Sequence, residues 1–237
     1  MSIEKQKLAS MLKQNKITDN DYRLLLNAME NKSDQNIISL FINPFQKIAG
    51  LNALIMGIIV IIALSYIGVL ADVYFMGIFD CLNAANLKHM HVVKPNFQLL
   101  LSQNLIDWIV LSITFMLAAL VLKQKRIRII DFFGTVALAR FPYIFLSLFI
   151  AIVWLVDPTL MDFDLTKTEQ PHGFSFAGTL INFMWQFCWA WQITTYFFAL
   201  KESSGLNGTR LWIGFVVSVL IADQIAHSLG QSLIWLH

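Results

Sequence analysis

Five runs of mainly apolar residues dominate this chain, at about 49–71, 105–122, 129–156, 174–200 and 211–234. A helix crosses the hydrocarbon core of a bilayer in about 20 residues, at about 1.5 Å each. Each run is therefore long enough to span. The residues between the runs hold most of the charge, and charged residues make up only 14% of the chain against 57% for the hydrophobic set. A water-soluble globule needs a charged exterior, which so few charges gathered into short stretches do not supply. A net charge of +2 gives no electrostatic footprint for nucleic acid. The expected fold is all-α: a polytopic five-helix transmembrane bundle over residues 41–237, behind a short cytosolic helical hairpin and linker over residues 1–40.

Orientation follows from lysine and arginine. The N-terminal segment, the four connecting segments and the tail carry 7, 2, 4, 1, 2 and 0 of them in turn. The alternation of high and low places the N-terminus in the cytosol and the C-terminus on the far side, the periplasm if the membrane is a bacterial inner membrane. No apolar stretch precedes residue 41 to act as a removable secretory signal, so the first span is expected to target the chain. Trp108, Trp154 and Trp235 fall near the outer boundary of this layout, and Trp212 and Tyr196 near the inner one, as interfacial anchors do.

Within residues 1–32, Leu8, Met11 and Leu12 fall at helical spacing, as do Tyr22, Leu25, Leu26 and Met29. Thr18 and Asp21 have the spacing of a capping box that starts the second of two short helices. Such a hairpin either stays solvated beside the membrane or receives a protein partner. The expected partners are thus the lipid bilayer, a protein at this hairpin and, as an open alternative, a second copy of the chain.

A charge at mid-bilayer costs about 2.5 kcal/mol or more, so intramembrane ionisable groups need partners. Arg140 in the third run and Asp223 in the fifth lie at similar distances from the cytosolic ends of their runs, which makes them candidates for a buried pair. Pro142 is expected to kink the third helix and free the carbonyl of Leu138 for the Arg140 guanidinium. His227 and Gln231 extend the Asp223 face, and Ser175, Asn182, Gln186 and Trp189 share a face of the fourth run. These polar residues serve either as glue between helices or as a hydrated path in which Asp223 and His227 handle protons. Asp107 falls at the outer end of the second run in this layout.

No catalytic motif, cofactor fingerprint or convergent metal-ligand set is found, and none of these is expected. Asp80, Cys81, His89 and His91 in the first outer loop offer only a loose grouping. Gly205 and Gly208 are expected to turn the fourth helix into the fifth.

DFFGTVALARFPYIF (131–145) resembles the middle of the membrane domain of the Yip, or Ypt-interacting-protein, family in its bacterial, Bacteroidota-type form. FFALKESSGLNGTRLWI (197–213) is similar to that family's connection between fourth and fifth spans, and INPF (42–45) to its approach to the first. The resemblance covers about residues 41–234. It implies five spans, a cytosolic N-terminus and a non-enzymatic role in organising membranes or recruiting partners. Eukaryotic members bind Rab-type GTPases, a role that does not extend to this chain's different N-terminal region. The alternative is a small transporter component built on Arg140, Asp223 and His227.

Overall fold

The computed structural model describes residues 10–12, 14, 18, 21–24, 41–75, 77–79, 81–83, 94–122, 127–156 and 176–236. The chain divides into two compact units, Met1–Pro44 and Phe45–His237. In the first unit, residues 10–12 and 21–24 are helical. Thr18 caps the second of these. Its Oγ1 accepts the Asp21 N–H at 3.2 Å, while Asp21 Oδ2 accepts the Thr18 hydroxyl at 2.6 Å and its N–H at 3.3 Å. These bonds from Thr18 hold the Asp21 carboxyl below its usual range. The rest of the expected hairpin lies outside the described residues.

The second unit is a helical bundle of α1 (Gly50–Leu70), α2 (Phe97–Val121), α3 (Ile129–Leu138), α4 (Pro142–Val156), α5 (Phe176–Ser204) and α6 (Gly208–Leu236). Among the described residues, four stretches are long and apolar enough to cross a membrane: α1, α2, α3 with α4 over Ile129–Val153, and α6. Many of their large side chains face outward, Ile59 by 61% and Leu220 by 63%. Outward isoleucine and leucine are unfavourable in water and ordinary in lipid, so the unit is that of a multi-pass membrane protein. The expected fourth apolar span, α5, is a helix of 29 residues with a lower mean apolarity. Asn182, Gln186, Gln192 and its threonines interrupt it.

Small residues set the closest crossing. A Cβ added to Gly57 on α1 would collide with Ala137 Cβ and stand 2.7 Å from the Leu138 backbone nitrogen on α3. One added to Gly134 on α3 would stand 2.8 Å from Leu54 N and 2.9 Å from Gly50 O on α1. The two backbones meet because neither position has a side chain, the usual device where lipid gives no hydrophobic drive for helix association.

α2 begins eight residues before the expected boundary of 105. Asn96 is its N-cap, with Oδ1 accepting the Leu99 N–H at 2.8 Å. The shift matters. It puts Asp107 and Trp108 near the middle of a 25-residue helix rather than at its outer end. Trp108 therefore anchors no interface; its Nε1 donates to Phe133 O of α3 at 2.7 Å. At the other end, α5 stops at Ser204, and Gly205 and Gly208 take φ values of +68° and +61°. That left-handed backbone lets the chain turn into α6.

The segment after α1 folds back inward. Asp72, at φ 52°, reverses the chain, and β1 (Val73–Phe75) pairs antiparallel with β2 (Cys81–Asn83) in the register Val73–Asn83, Tyr74–Leu82, Phe75–Cys81. Val73, Tyr74, Phe75 and Ile78 are fully buried. Non-helical backbone is tolerated in such surroundings only when its polar groups are met by protein.

Candidate functional site

The expected single third helix is two. Residues 139–141 form a turn between α3 and α4, and Pro142 opens α4. Pro142 has no N–H for the Leu138 carbonyl. That carbonyl accepts the Phe141 N–H at 3.1 Å, and the Ala139 and Arg140 N–H groups bond to Thr135 O and Ala137 O. Tyr143 N–H turns to Arg140 O at 3.1 Å, so the carbonyl released to the neighbours is that of Ala139 rather than Leu138. α5 takes it: Gln192 Nε2 donates to it at 2.9 Å and Thr195 Oγ1 at 3.0 Å.

Arg140 sits in this break with no exposure. Its Nη2 donates to Asn104 Oδ1 at 2.7 Å and to Asp107 Oδ2 at 3.0 Å, and its Nη1 to Tyr196 OH at 3.4 Å. The Phe75 and Tyr143 ring centroids lie 6.0 Å and 5.9 Å from its central carbon. Asn104 Nδ2 continues the network to Ser65 Oγ on α1 at 3.2 Å. One guanidinium thus joins the α3–α4 break to α2, α5 and, through Asn104, α1. Asp107 is only 1% exposed, so the pair neutralises itself away from solvent. At about 1.5 Å per residue, Asp107 lies ~15 Å along α2 from Phe97, and Arg140 a similar distance from Ile129.

The expected pair of Arg140 with Asp223 is not formed, because Asp107, brought to mid-helix by the early start of α2, occupies the guanidinium. Asp223 Oδ1 instead accepts the Ile78 N–H of the inturned hairpin at 3.1 Å. Tyr143 OH donates to Ile78 O at 3.3 Å, and Phe75 N–H donates to Gln103 Oε1 at 3.1 Å. Phe79 stands edge-on to both Trp189 and Tyr196. The hairpin therefore covers the network from one end, with its polar backbone met by α2, α4 and α6. His227 bonds to Gln231 at 2.8 Å on α6. Asn182 and Gln186 are exposed and face each other at 3.5 Å, so neither joins Arg140.

Residue type alone does not single out Asn104, Asp107, Gln192, Thr195 and Tyr196 as a site. The signal for the α2 pair was positional: Leu100, Gln103, Asn104, Asp107, Leu111 and Phe115 form one buried stripe at helical spacing. Among the described residues, Arg140 Nε, Gln103 Nε2, Ser147 Oγ and Gln192 Oε1 are buried polar atoms without a hydrogen-bond partner. Neither of two shallow cavities, about 280 Å³ beside Lys47 and Asn52 and about 250 Å³ between α2 and α6, is lined by a residue of the network. Asp80, His89 and His91 lie outside the described residues. No family model matches the chain, and no curated protein or solved structure matches it either.

Proposed function

We propose that the protein is a non-catalytic, five-span membrane protein that organises the membrane or recruits partners, with the Arg140 network as its structural lock. The observation that carries this reading is the burial of the Arg140–Asp107 ion pair, 0% and 1% exposed, which joins the α3–α4 break to α2 at 3.0 Å. The resemblance of residues 131–145 and 197–213 to Yip membrane domains supports the same role. In this reading α5 is the fourth of the five spans and α6 the fifth, the N-terminus is cytosolic, the C-terminus is periplasmic, and the membrane is a bacterial inner membrane. Alkaline phosphatase fused after His237 is expected to be active and the same enzyme fused before Met1 inactive. Equal activity at both ends overturns the layout.

A second reading, a proton or small-ion transporter component, draws on a different observation. The broken helix at the level of a charge pair, with unmet polar atoms beside it, is an arrangement found where transporters bind ions. Purified protein in liposomes loaded with a pH-sensitive dye separates the two. A scaffold leaves an imposed pH or potassium gradient unchanged relative to empty liposomes. Protein-dependent decay that is lost in an Asp107→Asn variant of normal fold establishes the transporter instead.

A further inference from the structure

We infer that the groove between α2 and α6 is a binding site for one acyl chain of an anionic phospholipid, whose headgroup pairs with Arg210. Thr114, Leu117, Ala118, Val121 and Leu122 line one side, and Ile213, Gly214, Val217, Ser218 and Ile221 the other, around about 250 Å³. The lining is almost wholly apolar and opens outward, with Leu117 and Val217 each about half exposed. Gly214 makes the floor, since a Cβ there would lie 3.0 Å from Leu122 Cδ1. Each wall covers nine residues, 114–122 and 213–221. That is ~12 Å of helix, close to the ~15 Å hydrocarbon depth of a single leaflet.

Charge identifies the occupant. Arg210 precedes Ile213 and Gly214 by one turn, on the stripe that continues through Val217 and Ile221. It is exposed, α6 has no acidic residue in its first turn, and no hydrogen bond or ion pair to Arg210 is found among the described residues. An arginine side chain at a helix end reaches along the apolar surface to the headgroup level. A second copy in the same orientation, meeting this one through a two-fold axis, would set Arg210 against its equivalent. A phosphate-bearing lipid neutralises it instead. This inference goes beyond the proposed function and depends on it only for the leaflet, which the proposed orientation makes the cytosolic one.

Native mass spectrometry of the purified full chain, with equal amounts of phosphatidylglycerol and phosphatidylethanolamine of identical chains, tests it. The unaltered protein is expected to retain phosphatidylglycerol preferentially. Arg210→Gln should lower that preference about fivefold, the effect of removing one basic side chain near an anionic surface. Ala118→Phe, which fills the groove, should weaken both lipids together. Equal retention of the two lipids by the unaltered protein overturns the inference. So does an unchanged preference in Arg210→Gln, a variant on the exposed surface that leaves the core untouched. A dimer that Ala118→Phe dissociates overturns it in favour of a second copy.

Discussion

Replacing Asp107 with alanine is expected to destabilise the detergent-purified protein by about 3–5 kcal/mol, because it leaves the Arg140 guanidinium buried without a counter-charge. Arg140 has no exposure and Asp107 is its paired carboxylate, at 3.0 Å. No solvent is at hand to compensate. The double variant Arg140→Met, Asp107→Leu removes both charges and is expected to recover most of the lost stability. The same logic ranks the carboxylates. Asp223→Ala removes one acceptor from the Ile78 N–H and should cost about 1–3 kcal/mol, less than Asp107→Ala. Fluorescence-detected thermal unfolding of the three variants checks the order. A larger loss for Asp223→Ala than for Asp107→Ala would show that the wrong carboxylate has been assigned to the arginine.

The second large effect is expected at Gly57. In Gly57→Ala the new methyl meets Ala137 Cβ, with the Leu138 nitrogen at 2.7 Å and the Ala137 carbonyl carbon at 2.9 Å. Overpacking of this kind costs about 1–3 kcal/mol where side chains give way, and more where backbone must move. Adding Ala137→Gly relieves only the methyl–methyl collision, so the pair is expected to recover part of the loss and no more. Ile59→Leu, on a lipid-facing position two residues away, should change little. Full recovery in the Gly57→Ala, Ala137→Gly pair would mean that α1 and α3 are not held at backbone contact.

Much of this architecture can be read from residue order, and the failures share a cause. Hydropathy marks where α1 and α6 run within a few residues, because their exposed faces must satisfy lipid along their whole length. It misplaces the start of α2, where Gln98, Ser102, Gln103 and Asn104 look like loop. Those polar residues belong to a helix because Asn96 caps it and because Gln103, Asn104 and Asp107 turn inward. A helix shorter by one-third puts Asp107 at its outer end and leaves Asp223 as the carboxylate at the depth of Arg140. Pro142 announces a disruption of the third run. Which carbonyl it releases depends on the local shift to shorter-range bonds around Arg140, and residue order does not specify that. The inturned hairpin gives no hydropathic sign, since Val73, Tyr74, Phe75 and Ile78 resemble any short apolar stretch following a span. Its place is fixed by tertiary partners, Gln103, Tyr143 and Asp223, that come later in the chain.

That dependence on later partners bears on how the protein is made. Asp107 precedes Arg140 by 33 positions and Tyr196 follows Arg140 by 56. At a synthesis rate of ~5–20 residues per second, the carboxylate leaves the ribosome ~2–7 s before its cation, and the tyrosine follows seconds later still. The segment holding Asp107 must therefore linger at the insertion machinery until the arginine is made. Pausing translation between these two residues is thus a direct way to divert the nascent chain toward degradation.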